Sequence, residues 1–122
     1  MTRRSSTRDN TPLFLYDIVQ FSRQAIEIAA TRNRADLDSD RTLQLALVHL
    51  IQMIGEAAGK LPDAFKGKHP DIPWHDIINM RHRIVHEYWE VDPQVVWDTV
   101  QKDLPVIVAR FAPLLDAATG KR

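Results

Sequence analysis

The chain has 122 residues, with 16 Lys and Arg against 16 Asp and Glu, so its formal net charge is zero. This length suits a single domain of the common size of about 100–150 residues, and 44% hydrophobic residues argue against disorder. The absence of Cys excludes disulfides, thiolate catalysis and Cys-based zinc sites. No apolar run reaches the ~20 residues of a membrane span and no signal-like core follows Met1, so we expect a cytoplasmic protein that does not associate with membranes.

The first third of the chain is predicted to contain a tail, one helix and a turn. Residues 1–11 are polar and form the predicted flexible tail, which leaves 12–118 as a single helical domain. At Thr11-Pro12 a hydroxyl cap precedes a proline, and apolar residues at helical spacing predict a helix over 13–33. The polar stretch 31–40 is predicted to be a turn whose end caps the next helix, through Asp38, Ser39 or Asp40.

The second helix has the clearest pattern. From Leu43 to Leu61 apolar residues alternate four and three apart, which is typical of the seam of a helical bundle. A second apolar side predicts that this helix lies between other helices, or between the bundle and a partner; its residues are Val48, Ile51 and Ala58. Gly55 costs about 1 kcal/mol of helix propensity relative to Ala, so we expect a neighbouring helix to approach it closely.

The second half of the chain is punctuated by proline. Residues 62–73 hold three prolines and are predicted to be a loop, after which a third helix is expected over 74–87. A fourth helix should open at Asp92-Pro93, and Pro105 should either kink it or begin a fifth helix. Because no segment shows the alternation of a strand, the sequence predicts an all-α fold. We expect an up-down four-helix bundle with a kinked or fifth C-terminal helix.

Chemically versatile side chains are concentrated in the third predicted helix. On a continuous helix Arg81 would share an otherwise apolar face with Tyr88. Arg81 and His86 would point about 140° apart, so they could meet through the long Arg side chain, a distorted helix end or a second subunit. The adjoining face would carry Asn79, His82, Arg83 and His86.

A histidine near an arginine suits phosphodiester chemistry. Histidine exchanges a proton near neutral pH, and arginine binds phosphate oxygens in a fork geometry. Without an acidic metal cluster, this pair indicates metal-independent cleavage, in which the His moves a proton and the Arg offsets charge at phosphorus. Tyr88 could donate a hydrogen bond or stack on a base.

Two other interpretations of these residues stay open. Arg81 could be a structural residue that pairs with Glu56 or Glu87. His82 and His86, four residues apart, could bind a metal, although the positive charge of Arg83 between them disfavours a cation.

Residues 81–88 (RHRIVHEY) resemble the Arg-x4-His-x-Tyr motif of the HepT-like toxins, a family of the HEPN superfamily. The segments at 54–58 and 72–74 resemble the family's second helix and its approach to the motif. Residues 91–92 and 96–97 resemble the family's segment on the C-terminal side of the motif, and the resemblance extends from about Leu13 to Leu115.

The resemblance implies a HEPN helical bundle that forms a homodimer, with the two motifs facing a shared cleft. The activity would be metal-independent endoribonuclease cleavage of RNA without a cofactor, as the toxin of a toxin–antitoxin system. Arg81 and His86 would be the catalytic pair, with His82 and Arg83 supporting the site. Tyr88 would accept AMP from the antitoxin, a minimal nucleotidyltransferase of the MntA type.

A dimeric site would also explain the geometry of the third helix. Across a two-fold axis, Arg81 of one chain could approach His86 of the other, and the apolar stripe around Arg81 would lie at the interface. The alternative is a HEPN dimer without catalysis that binds a nucleotidyltransferase or a nucleotide. Zero net charge excludes broad electrostatic wrapping of RNA and leaves room for a small focused site.

Overall fold

The computed structural model describes residues 9–120, apart from the side chain of Trp89. In chain order the α-helices are α1 (Thr11–Ala30), α2 (Asp36–Ser39), α3 (Arg41–Lys60), α4 (Asp63–Gly67), α5 (Trp74–Ile78), α6 (Met80–Ile84), α7 (Pro93–Asp98) and α8 (Leu104–Thr119). A 3-10 turn covers Glu87–Trp89, and a π-helical turn, Thr99–Asp103, joins α7 to α8. The fold is all-α, as predicted.

The bundle has four helical elements, of which the third is segmented into α5 and α6. Helix α1 packs against α3 and α8, and α3 also contacts α5, α6 and α7. Within residues 9–120 the only strand-like pairing is an isolated antiparallel bridge between Val85 and Val91. None of the helices in this described range is long and apolar enough to cross a membrane.

Helix α3 is buried on both sides within a single chain. Leu47 and Ile54 on the seam are fully buried, and so are Val48, Ile51 and Ala58 on the second side. Each Leu, Ile or Val side chain buried in this way contributes about 1.5–3 kcal/mol of transfer free energy. The two-sided pattern is therefore explained by neighbouring helices of the same chain, and it does not require a partner surface.

The helix caps agree in part with the sequence pattern. Thr11 is the first residue of α1 and not its cap; the Asp9 carboxylate accepts the Thr11 backbone N–H at 2.9 Å, which holds the pKa of Asp9 below its usual value. Asp40 is the cap of α3, because its carboxylate accepts the Leu43 N–H at 3.0 Å. Residues 1–8 of the predicted tail lie outside the described residues.

Two predicted non-helical stretches contain short helices. Helix α2 lies in the predicted turn at 31–40, where fully buried Leu37 anchors it to the core. Helix α4 lies in the predicted loop at 62–73, where the Phe65 ring contacts His69 and Trp74 at centroid distances of 4.7 and 6.3 Å. In both stretches tertiary packing of one apolar side chain outweighs the local preference for a turn.

Pro105 does not begin a separate fifth helix. The chain keeps helical backbone angles from α7 through Leu104, and the π-helical turn ends at the residue before Leu104. A proline in a regular helix clashes with the carbonyl four residues earlier and removes a backbone donor. The π-helical turn relieves this conflict locally, so 93–119 is one distorted helix, which ends at Gly120 with a φ of 78°.

Candidate active site

The predicted continuous helix over 74–87 is wrong. Helix α5 ends at Ile78, and α6 begins only after Asn79, whose φ and ψ are −106° and 17°. Helix α6 ends at Ile84, and His86 has an extended backbone with φ −100° and ψ −159°. Arg81 therefore lies on a helix, whereas His86 lies beyond its end, and the helical-face argument holds only for residues up to Ile84.

Helices α3 and α5 approach each other closely just before the break between α5 and α6. A Cβ atom on Gly55 would lie 2.7 Å from the backbone oxygen of Ile78 and 3.2 Å from that of Ile77. The expectation that a neighbouring helix approaches Gly55 is thus confirmed. Asn79 then caps α5, because its backbone N–H and its side-chain amide both donate to the His75 carbonyl, at 3.1 and 2.9 Å.

After α6 the chain forms a loop that is closed at its base. The Asp92 N–H donates to the Ile84 carbonyl at 2.9 Å, and the His86 N–H donates to the Glu90 carbonyl at 2.8 Å. Tyr88 lies in the 3-10 turn of this loop, with φ 56° and ψ 32°, and it is 96% exposed. The predicted common face of Arg81 and Tyr88 is therefore wrong, because Tyr88 projects from a loop.

The basic and histidine side chains of α6 line two neighbouring polar pockets. Arg81, which is half-buried, lines the first pocket together with Gln52, Glu56, Asn79 and His82. The second pocket is lined by His75, Asp76, Asn79, His82 and Arg83. Asn79 and His82 belong to both pockets, so the two are continuous.

The structure brings together some of the predicted site residues and not others. Asn79, His82 and Arg83 share the second pocket, as their predicted common face implied, whereas His86 is exposed and lines neither pocket in the described part of the chain. Arg81 and His86 therefore do not line a common wall of these two pockets. Of the three routes by which they could meet, the structure has the distorted helix end, because α6 ends at Ile84.

The metal interpretation loses its geometric basis. His82 lies on α6 and His86 lies after the end of that helix, so the two do not have the one-turn spacing of a helical metal pair. Among residues 9–120, no group of three or more His, Asp or Glu side chains is placed to hold a metal ion.

Two contributions to this region are not evident from the sequence. Arg83 pairs with Asp103 of the π-helical turn at 3.5 Å, and both side chains are about half exposed. The second is the contact of His75 with Asn79, which only their spacing of four residues could have suggested.

The charge changes sign between α6 and the loop that follows it. Glu87 and Glu90 make the Tyr88 loop acidic, whereas α6 next to it is basic.

Comparison of the sequence with known proteins identifies its family. The family model described as "Ribonuclease HepT-like" matches residues 18–112. The chain is 34% identical over 102 residues to the "Probable ribonuclease HepT" of Thermococcus cleftensis, a match that covers 80% of this chain and 93% of that protein. It is 30% identical over 108 residues to a "Putative RNase" of Methanocaldococcus jannaschii, with 88% and 89% of the two chains covered. No solved structure matches the chain significantly.

The matched range includes every residue of the 81–88 motif and the Gly55 contact that positions it. The all-α bundle agrees with the HEPN fold that the motif implied. The chain therefore belongs to the HepT-like family of ribonucleases.

Proposed function

We propose that this chain is a metal-independent endoribonuclease, the toxin of a toxin–antitoxin system, that acts on RNA in the cytoplasm. The observation that carries the proposal is the placement of Arg81 and His86 in the family-matched region. The arginine lies half-buried in a polar pocket, and the histidine lies exposed on a closed loop. An anchored cation and an accessible proton carrier are the two groups that this cleavage needs.

In the proposed reaction the ribose 2′-oxygen attacks the adjacent phosphorus, and the bond from phosphorus to the 5′-oxygen of the next nucleotide breaks. The 2′-hydroxyl loses a proton and the departing 5′-oxygen gains one; His86 takes the first or gives the second, and solvent water serves the other oxygen. The products are a 2′,3′-cyclic phosphate and a 5′-hydroxyl. Arg81 hydrogen-bonds the phosphate oxygens as negative charge develops on them. His82 and Arg83 support the site by adding donors beside Arg81.

We further propose that the site is completed in a homodimer. Because His86 does not line the pocket of Arg81 among the described residues, we infer that a two-fold axis places Arg81 of one copy beside His86 of the other. Two identical sites would then lie in one cleft, and the histidines and arginines of both copies would surround it.

We also propose that Tyr88 is the acceptor of AMP from a minimal nucleotidyltransferase of the MntA type. The phenol oxygen would attack the α-phosphorus of ATP, pyrophosphate would leave, and a base of the partner would take the phenolic proton. An exposure of 96% on a closed loop makes this oxygen accessible to a second enzyme. The added phosphate would then repel RNA phosphates from the cleft and obstruct it.

Cleavage of RNA in EDTA tests the proposed activity. Wild type should cleave, and His86→Ala should lose about 10²-fold or more of the rate, as expected when a group that transfers a proton is removed. Arg81→Ala should also lose activity while its circular dichroism spectrum stays helical. An identical cleavage pattern from wild type and His86→Ala would contradict the proposed role of His86.

Intact-mass spectrometry tests the proposed modification. After incubation with the partner and ATP, wild type should gain the mass of one AMP per chain, and Tyr88→Phe should gain none. A mass increase that survives the Tyr88→Phe substitution would place the modification elsewhere.

The second candidate is a HEPN dimer that binds a nucleotidyltransferase or a nucleotide without cleaving RNA. The observation that favours it is that His86 does not line the pocket of Arg81 among the described residues. Growth distinguishes the two candidates, because expression of wild type alone should be toxic only if the chain cleaves RNA. Equal tolerance of wild type and His86→Ala would favour the binding module.

A further inference from the structure

We propose that His75, Asn79, His82 and Arg83 form a second phosphate-binding subsite, which holds the RNA phosphate next to the one that is cleaved. The inference rests on the proposed endoribonuclease function and adds to it the residues that would position the substrate. His75 carries the proposal, because it lies outside the 81–88 motif and yet lines the same polar surface.

A contact with Asn79 favours one tautomer of the His75 ring. The Asn79 side-chain nitrogen donates to the His75 backbone oxygen at 2.9 Å, and a carbonyl oxygen can only accept, so the amide orientation is determined. The same nitrogen lies 3.2 Å from Nδ1 of His75. A hydrogen bond donated by this nitrogen to Nδ1 corresponds to the tautomer that carries its proton on Nε2, a donor that this contact does not use.

The remaining groups of the pocket also favour an anion. His82 and Arg83 contribute further N–H donors, and Arg83 keeps donors available because its contact with Asp103 is a single pairing at 3.5 Å. Asp76 is exposed and is the one carboxylate among the residues that line this pocket, and Asp103 pairs with Arg83 beside it, so the pocket would hold a phosphate through its N–H donors and not through net positive charge. A phosphate diester presents only acceptor oxygens, which matches a wall of donors.

Continuity with the first pocket determines which phosphate this would be. Asn79 and His82 line both pockets, so a chain bound against Arg81 can continue into the pocket of His75 without leaving the polar surface. The Tyr88 loop carries exposed Glu87 and Glu90, whose charges disfavour a polyanion next to them. We therefore expect the RNA to extend from Arg81 towards His75.

Steady-state cleavage of RNA oligonucleotides of increasing length in EDTA tests the subsite. For long substrates His75→Phe, which keeps a ring but removes both nitrogens, should raise KM about five- to tenfold while kcat changes less than about twofold, the effect of losing one hydrogen bond. His75→Gln should restore most of the affinity, because its amide offers a donor near the position of Nε2. For substrates too short to reach the subsite, wild type and His75→Phe should have the same KM.

His69→Phe is the matched control, because the His69 ring contacts Phe65 and does not line either polar pocket among the described residues. It should leave KM and kcat unchanged. Thermal unfolding of each variant would show that all of them fold alike.

The possible failures are distinguishable. If wild type cleaves RNA and His75→Phe leaves KM unchanged for long substrates, the subsite is wrong and the proposed activity stands. If wild type neither cleaves RNA nor binds an uncleavable 2′-O-methyl RNA by fluorescence anisotropy, the proposed function is wrong, and the subsite with it.

Discussion

Gly55 of α3 and Ile78 at the end of α5 are in direct backbone contact: a Cβ atom at position 55 would lie only 2.7 Å from the Ile78 carbonyl oxygen. Such a distance is shorter than van der Waals contact permits, and the atom it meets belongs to the backbone, which cannot rotate away. The contact lies at the residue where α5 ends, and α6 with Arg81 begins two residues later.

Substitution at Gly55 should therefore disturb both stability and the candidate site. We expect Gly55→Ala to lower the free energy of unfolding by about 1–3 kcal/mol, the usual cost of overpacking, and to reduce RNA cleavage by displacing α6. Urea denaturation and the cleavage assay measure the two effects.

Gly59→Ala, one turn later on α3, is the control. Its added methyl group would meet only the Ile78 Cγ2 atom at 3.9 Å, which is an ordinary contact. It should stabilise the chain by up to about 1 kcal/mol through helix propensity. Equal stability of the two variants would contradict the argument for close approach at Gly55.

The backbone at Tyr88 carries a local strain that can be measured. A non-glycine residue in the left-handed region costs about 1–2 kcal/mol, and at 96% exposure the Tyr88 side chain has little packing to lose. We expect Tyr88→Gly to raise the free energy of unfolding by about 1 kcal/mol and Tyr88→Phe to leave it unchanged. A less stable Tyr88→Gly variant would show that the loop does not hold this conformation.

The Arg83–Asp103 ion pair should affect RNA affinity more than stability. Because both side chains are about half exposed, Asp103→Asn should change the free energy of unfolding by less than about 1 kcal/mol. Asp103→Asn should lower the KM for RNA at low salt, because Asp103 no longer offsets the charge of Arg83. The decrease in KM should become smaller as added salt screens the charge of Arg83.

The control is Asp98→Asn, which removes a carboxylate that pairs with Lys102 in the distorted helix 93–119, and it should leave KM unchanged. A KM that Asp103→Asn leaves unchanged at low salt would show that Arg83 does not face the substrate.

The cap of α3 should make part of the stability depend on pH. The Leu43 N–H, and then Arg32, hold the pKa of Asp40 below its usual value. The ionised Asp40 carboxylate therefore contributes its full stabilisation at pH values above the ordinary carboxyl pKa of about 4. This contribution is lost as the pH falls through the lowered pKa of Asp40 in the folded state.

Asp40→Ala should have a lower Tm than wild type at pH 7, and this difference in Tm should become smaller as the pH is lowered. Asp40→Asn should lower the Tm at pH 7 much less than Asp40→Ala does, because Asn also caps helices. A Tm difference for Asp40→Ala that is unchanged at pH 3 would contradict this assignment.

The long helices could be predicted from the sequence because their patterns are local. The seam from Leu43 to Leu61 needs only 3.6-residue periodicity, and it is confirmed. The cap of α3 is Asp40, one of the three residues predicted as candidates. The close approach at Gly55 could also be predicted, because glycine lowers helix propensity and its presence inside a long helix indicates that a neighbouring backbone occupies the space of a side chain.

The segmented third helix could not be predicted, because its breaks lie at contacts that the local pattern does not contain. Nothing in the pattern of 74–87 marks Asn79 as an interruption, where α3 approaches at Gly55 and the Asn79 side chain caps α5. The end of α6 at Ile84 likewise coincides with the pairing of Val85 with Val91 across the loop. The helical faces predicted for His86 and Tyr88 therefore do not apply, because the helix ends before it reaches either residue.

Mixing two inactive variants tests most directly whether Arg81 and His86 form one site across two copies. Arg81→Ala and His86→Ala should each be inactive alone in EDTA. After mixing and exchange, half of the dimers pair one variant with the other, and each such dimer has one intact site, so about a quarter of wild-type cleavage should return. Cleavage that stays at the level of the separate variants, although mass spectrometry shows mixed dimers, would contradict the shared site.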